Sequence, residues 1–307
     1  MSAPRVALAT SPQLPYLDAD DAPLLPALAA RGLDVEPAVW DDAEVDWDAF
    51  DLVVVRSTWN YAPKHGEFLA WAARVPRLAN PAPVIAWNTD KSYLRDLERA
   101  GLPIVPTIWL DPARNLTSRA VHTRFPASGE FVIKPTVSSG GRDTGRYQSN
   151  YADQRGLAIV HARDLLREGR HVMVQQYLGQ VDTIGETSLV YIEGEFSHSV
   201  RKSALLEGPY RVEDLHAPQM SARAATDAER AVADRVIAAI PAIVPGAPDG
   251  PMLYARVDLL LDSGGAPVLL ELELTEPSLF LGLADGAVDR VADAIATRVS
   301  AGADRPN

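Results

Sequence analysis

Two rhythms of apolar and polar positions divide this chain. In the first third, short apolar runs alternate with stretches of helical spacing. Residues 5–10, RVALAT, predict a short buried strand. Residues 20–32, DDAPLLPALAARG, set Leu24, Leu25 and Leu28 on one side and end at Gly32, as a helix with a C-terminal glycine does. Residues 34–40 and 51–57 predict two more strands, 66–75 a helix, and PVIAW at 83–87 a further strand. Strands alternating with helices imply a parallel α/β layer. Ligands in such layers bind beyond the carboxyl ends of the strands. The loop after 51–55, RSTWNY, places Arg56, Ser57, Thr58, Trp59 and Tyr61 there. The two aromatics are either a pocket wall or a cap on the core.

After about residue 86 the rhythm changes. Residues 88–101, NTDKSYLRDLERAG, predict a capped helix ending at Gly101. LPIVPTIWL then leads to EFVIKPTVSSGGRDTGRY, a strand followed by a polar glycine-rich loop. A helix over 154–168 and a strand over 172–178 follow. Two antiparallel hairpins come next, separated by a helix at 226–240 that opens with a capping box from Thr226 to Glu229. A last helix covers about 285–300. The expected fold class is therefore α/β plus α+β. It comprises an N-terminal parallel α/β domain over 1–86 and an antiparallel domain over 87–307.

The final hairpin carries the most unusual pattern. In YARVDLLLDSGGAPVLLELELT, a loop at 263–266 pairs Asp262 with Pro267. Asp258 then falls opposite Glu271, and Arg256 opposite Glu273. Side chains alternate with period two, so these four share one face, and Val257, Leu259, Leu270, Leu272 and Leu274 take the other. Opposed like charges destabilise a sheet, and one arginine does not balance three carboxylates. The face is either a solvated edge, a glycosidase-like carboxylate pair, or a site for a hard divalent cation such as Mg²⁺ with its phosphate partners. In the other hairpin, GETSLVYIEGEFSHSVRK, a turn at Glu193-Gly194 pairs Ile192 with Glu195. That register sets Glu186 opposite Arg201 and turns Lys202 to the other face. Arg201 then either completes an ion pair or faces an anion.

Composition narrows the chemistry. The chain has 307 residues, is 47% hydrophobic and contains no cysteine, which excludes disulfides, thiolate metal sites and cysteine nucleophiles. The net charge is −12 with basic residues scattered, so nucleic acid is not an expected partner. No run approaches a membrane span, and the start lacks a signal-peptide core, so a cytoplasmic protein acting on a small molecule is expected. The histidines show no H-x-H or H-E-x-x-H spacing, and no G-x-S-x-G elbow or Walker A loop is present.

Taken in order, a helix lysine (Lys91), the strand VIKP with Lys134, a Gly/Ser loop, the strand VMVQQYL, a hairpin ending in basic residues and an Asp strand paired to Glu-x-Glu resemble the ATP-grasp superfamily. The stretches RSTWNY, WNTDKSYLRDL, SGGRDTGRY and ELELTEPSLFL resemble the branch that includes the cycloserine-forming ATP-grasp enzyme of actinomycetes. The resemblance implies a two-lobed ATP-grasp domain with a lid lobe at about 107–178. It implies that Lys91 and Lys134 hold the ATP phosphates beneath a loop from Ser138, Ser139 and Gly140 to Thr144. Gln175, Gln176, Tyr177 and Leu178 would meet the adenine edge, and Glu186 would lie near the ribose or phosphates. Arg201 and Arg256 would act on the transferring phosphoryl, and Asp258, Glu271 and Glu273 would bind two Mg²⁺. Arg56, Ser57, Thr58, Arg142 and Arg146 are the candidates for a substrate carboxylate, which an arginine fork suits. Gln176 stands where the superfamily often has an acidic residue, and Glu273 where it usually has Asn. The implied reaction is ADP-forming C–N ligation through an acyl-phosphate, with ring closure of an amino-acid derivative such as O-ureido-serine as one form. A non-catalytic ATP-binding protein is the alternative. No residue stands out as the base for the amine.

Overall fold

The computed structural model describes residues 3–206, 208–209, 218–244, 246–248 and 250–303. Its first sheet is parallel, with strands β1 (Arg5–Thr10), β2 (Asp34–Val39) and β3 (Leu52–Val55) in the order β2-β1-β3. β1 and β3 are apolar at almost every position because both faces are covered. Val6, Leu8 and Val54 pack on the helices Leu24–Ala29 and Ala287–Ala303, whereas Ala7, Ala9, Val53 and Val55 meet Phe68 and Trp71 of the helix His65–Arg74. The segment read as a strand at 83–87 is instead the helix Ala82–Asn88. A short apolar run carries no period of its own, and Pro81 and Pro83 fit a helix start better than a central strand. The helix expected at 88–101 divides into a 3₁₀ turn, Lys91–Tyr93, capped by Asp90, and a short helix, Leu94–Arg99.

The second sheet is antiparallel, with β4 (Thr107–Leu110), β5 (Glu130–Pro135), β6 (Gly145–Gln148) and β7 (Val172–Gln176) in the order β4-β7-β5-β6. The helix Ala152–Arg167 buries Ala158, Ala162 and Leu165 against its Phe131, Ile133, Tyr147, Val172 and Val174. Val132, Lys134 and Gln175 therefore point the opposite way.

The third sheet is antiparallel, with β8 (Glu186–Ile192), β9 (Glu195–Lys202), β10 (Met220–Ala222), β11 (Tyr254–Leu261) and β12 (Pro267–Glu273) in the order β10-β9-β8-β11-β12. The helix Asp227–Ile243 opens with the expected capping box between Thr226 and Glu229. Two bulges decide which side chains share a face. In the β8–β9 pair, Ile192 meets Glu195 as expected, but the register shifts between Val190 and Tyr191. Beyond that bulge Glu186 pairs with Lys202, and Arg201 with Thr187. In the β11–β12 pair, Leu261 rather than Asp262 meets Pro267, so the hairpin starts one residue out of the expected register. A bulge between Asp258 and Leu259 restores it, and Asp258↔Glu271 and Arg256↔Glu273 pair as expected.

The free edge of β12 is sealed by groups from earlier in the chain. Asn88 receives the Leu274 N–H at 2.7 Å and donates to the Leu272 carbonyl at 2.7 Å. The Tyr93 hydroxyl accepts from Leu272 N–H at 2.8 Å, and Leu269 exchanges backbone bonds with Pro103 and Val105. Asn80 bridges the same region to the N-terminal sheet through the Tyr254 and Leu274 carbonyls and the Leu253 N–H.

Candidate active site

A cavity of about 850 Å³ lies between the inward faces of the second and third sheets. β5 brings Lys134 into it, the turn after Asp90 brings Lys91, and the Gly/Ser loop brings Ser138, Ser139, Gly140 and Arg142. β7 ends at its rim with Gln175, Gln176, Tyr177 and Leu178, and the third sheet supplies Glu186, Lys202, Arg256, Asp258, Glu271 and Glu273. The loop residues Trp59 and Tyr61 line it as well; Tyr61 also stacks on Phe68 at 4.9 Å, so both readings hold for Tyr61 and the pocket-wall reading for Trp59.

Five of the expected residues lie elsewhere. Arg201 does not line the cavity; its guanidinium binds the Ile184 carbonyl and, at 2.9 Å, that of Thr183. The β8–β9 bulge puts Lys202 in the place expected for Arg201. Arg56 is fully buried against Asp21 at 2.9 Å and donates to the Pro277 carbonyl at 2.7 Å. Ser57 bonds Asp21 at 3.1 Å, and Thr58 is buried beside them. Arg146 is held by Glu130 at 2.7 Å and Asp182 at 3.0 Å, stacked over Tyr177. These residues brace the walls, because a buried arginine is tolerated only when its charge is paired. Of the arginines proposed for a substrate carboxylate, only the exposed Arg142 reaches the cavity.

The charged side chains form a compact network. Lys91 binds Glu271 at 3.0 Å and the Ser138 carbonyl at 2.7 Å, which ties the turn, β12 and the loop together. Burial would lower the Lys91 pKa, but Glu271 outweighs it and raises it. Lys202 bridges Glu186 and, at 3.2 Å, Asp258. Arg256 grips Asp258 with Nε at 2.9 Å and Nη2 at 2.8 Å, and also pairs with Glu273. Against the effect of burial, Arg256 and Lys202 hold the Asp258 carboxyl well below its usual range. Burial dominates at the other carboxylates: Glu186 and Glu273 are each pushed up to about 7 despite Lys202 and Arg256 respectively. Lys134 differs from Lys91. Burial lowers its pKa in spite of Glu271, with Lys91 adding repulsion, and it has no ion-pair partner among the described residues.

Among the described residues no three acidic or histidine side chains are gathered as a ready metal cage, because Asp258, Glu271 and Glu273 are engaged by Arg256, Lys202 and Lys91. The donors are nonetheless all carboxylate oxygens, which suit Mg²⁺ rather than a softer ion. The upward shifts at Glu186 and Glu273 come first from burial, and a bound cation would offset that cost by favouring the ionised carboxylates. The residues therefore fit a hard divalent cation, bound with exchange of lysine or arginine contacts.

Sequence reasoning missed Lys202, Glu276, Phe280, Leu260 and Leu270, all of which line the cavity. Leu270 was expected on the far face; the β11–β12 bulge brings it round beside Leu178, Leu260 and Val268. Glu276 follows the Glu-x-Glu pair in the same acidic run, and that run was the available signal.

Residues 6–80 match the family model for the N-terminal domain of D-cycloserine synthetase DcsG. The cycloserine biosynthesis protein DcsG of Streptomyces lavendulae is 38% identical over 291 residues, covering 92% of this chain and 95% of that protein. The crystal structure of D-cycloserine synthetase DcsG superposes with a TM-score of 0.87 at 37% identity, over 96% of this chain and 99% of that one. The D-alanine–D-alanine ligase of Bacillus anthracis, in its complex with ATP, shares the fold at a TM-score of 0.65 and 14% identity, over 98% of both chains. The shared fold is the ATP-grasp architecture, here a three-stranded parallel sheet followed by two antiparallel sheets. This chain is thus an enzyme of the ATP-grasp ligase superfamily, and within it belongs to the family of the D-cycloserine synthetase DcsG.

Proposed function

We propose that this enzyme is an ADP-forming ligase that closes a ring within one small amino-acid derivative, with O-ureido-serine as the substrate that kinship to DcsG favours. The observation that carries the ligase reading is that the cations Lys91, Lys134, Lys202 and Arg256 and the carboxylates Glu186, Asp258, Glu271 and Glu273 line one cavity together. The boundary between the domains falls at 86/87 in this reading, with the lid lobe over about 107–178.

ATP supplies the phosphoryl group and Mg²⁺, in one or two ions, the counter-charge when bound. Lys134, a buried cation with no ion-pair partner among the described residues, would receive a phosphate oxygen. Lys91 keeps the Gly/Ser loop near it through the Ser138 carbonyl. Asp258, Glu271 and Glu273 would hold the metal, and Lys202 and Arg256, released in part from those carboxylates, would meet charge on the transferring group. Val105, Leu178, Leu260 and Leu270 give the opposite part of the cavity an apolar lining suited to a nucleobase. The substrate carboxyl takes up the phosphoryl group, and its own ureido nitrogen then displaces phosphate to form the C–N bond. Holding both ends of one molecule together makes that capture effectively unimolecular.

The test is ADP release with O-ureido-serine, ATP and Mg²⁺, followed by identification of the product. The expected result is one ADP per ring closed, with Lys134→Met slower by about 100-fold or more, as for loss of one electrostatic group at a reacting centre. Nucleotide binding without ADP release in the presence of any small carboxylic acid would instead leave a non-catalytic ATP-binding protein.

A further inference from the structure

The carboxylates of the cavity are not equivalent. Glu186 and Asp258 bind Lys202, Asp258 and Glu273 bind Arg256, Glu271 binds Lys91, and Asp143 binds Arg170. Glu276 lines the same cavity with no basic partner among the described residues. Burial, with Glu273 adding repulsion and Lys91 and the Tyr61 hydroxyl easing it only in part, pushes its pKa up to about 8. A cation arriving from outside would favour its ionised form.

The surroundings of Glu276 say which cation. Its backbone carbonyl accepts from Trp59 Nε1 at 3.0 Å, and the Trp59 carbonyl accepts from Ser139 Oγ at 2.8 Å. Glu276 is thereby fixed on the wall built by the 59–61 loop, with the rings of Trp59 and Tyr61 as cavity neighbours. A divalent metal needs several oxygen ligands; the acidic neighbours Glu271 and Glu273 are engaged by Lys91 and Arg256, which leaves Glu276 as a single carboxylate beside Trp59 and Tyr61. An organic ammonium needs one carboxylate and gains from ring faces. In an α-amino acid the ammonium lies two bonds from the carboxyl carbon. The partner for that ammonium must therefore adjoin the groups that handle the carboxyl, and Lys91, Glu271 and Glu273 are the charged neighbours of Glu276.

We propose that Glu276, framed by Trp59 and Tyr61, is the subsite that receives the α-ammonium group of the amino-acid-like substrate. The proposal rests on the ligase reading above for the nature of the substrate. In ring closure of O-ureido-serine the α-amino group takes no part in bond making, so Glu276 acts in recognition and placement. The side chain is expected to discriminate substrates with the amino group from those without it.

Calorimetric binding of O-ureido-serine and of its desamino counterpart, 3-(ureidooxy)propanoic acid, tests this with the full chain in Mg²⁺ and a non-hydrolysable ATP analogue. The parent is expected to prefer the amino form by about 100-fold or more, since a site built for a polar group rejects the analogue lacking it. Glu276→Gln should erase most of that preference by weakening the amino form alone, with nucleotide affinity unchanged, and Glu276→Asp should restore part of it. Equal weakening of both acids, or a preference that survives Glu276→Gln, overturns the subsite. If the parent binds neither acid while still binding nucleotide, the substrate reading fails separately. The pair D-alanine and propanoate then decides the subsite: a preference for D-alanine that Glu276→Gln removes upholds it, and no preference overturns it.

Discussion

The two hairpins of the third sheet make an instructive pair. Both place charged residues on the cavity face, and both contain a bulge between turn and site. In β11–β12 the turn is displaced by one residue and the bulge undoes the displacement, so Arg256, Asp258, Glu271 and Glu273 fall where simple alternation puts them. In β8–β9 the turn is where the sequence places it, nothing offsets the bulge, and Lys202 takes the cavity position instead of Arg201. A strand's side chains alternate faces, so an odd number of slips exchanges them and an even number does not. Turn chemistry alone does not specify a face several residues away.

The largest test of this contrast is the exchange itself. Lys202→Met should cut ADP release by about 100-fold to 1,000-fold, the range for removing one preorganised electrostatic group. It should also destabilise the fold by about 3 kcal/mol or more, because Glu186 and Asp258 lose their common partner. Arg201→Met, measured beside it, should leave the rate within about threefold and cost only packing and two carbonyl contacts. Equal losses in the two variants would mean that the cavity faces do not differ as described.

Glu271→Gln tests the better-read hairpin. In the parent, Mg²⁺ with a non-hydrolysable ATP analogue at about 100 times its Kd should add about 2.7 kcal/mol of stability, seen as a raised Tm. The variant should lose the Mg²⁺-dependent part of that gain. A smaller effect belongs to the point where β8 begins. Gly185 has φ +84° and ψ −175°, and a side chain there would run into the Lys202 carbonyl. Gly185→Ala should cost about 1–3 kcal/mol in urea unfolding, as such backbone positions do. It should also lower activity by disturbing Lys202.

The smallest effect is in pH. Glu186 and Glu273 are pushed up to about 7, whereas an unfolded glutamate titrates near about 4.3. Glu276, pushed up to about 8, adds to them. Between the unfolded and folded values the native state binds more protons than the unfolded state, so stability falls as pH rises and levels off above about 8. Thermal unfolding of the ligand-free enzyme should show that decline from about pH 5 to about pH 8.5. Saturating Mg²⁺-nucleotide should flatten it, since a metal favours the ionised carboxylates.

Much of the fold was legible because periodicity reports burial. The covered strands β1 and β3, the capping box at Thr226 and the Glu-x-Glu face follow from it. PVIAW was not legible, because five apolar residues carry no period and only the flanking prolines favour a helix. The role of Arg56 was hidden for another reason. Its partner Asp21 lies far away in sequence, and only the folded chain shows that this arginine is already paired. Lys202 and Leu270 were lost to bulges, and Glu276 because it lies beyond the end of β12, where strand alternation assigns no face.

The amide side chains along β12 also bear on how separable the two halves of this enzyme are. A strand with a bare flank invites other chains to add to it. Here the flank is closed by Asn88, Tyr93 and the 103–105 segment, with Asn80 reaching over from the N-terminal sheet. Trimming the chain to residues 87–307 would remove Asn80 and leave Asn88 on an unanchored terminus. Such a fragment is expected to self-associate through the Leu272–Leu274 end of that flank, the part that Tyr93 and the 103–105 segment leave to Asn88. Joining residues 87–307 to a foreign N-terminal segment would succeed only where the donor supplies the contacts that Asn80 makes here.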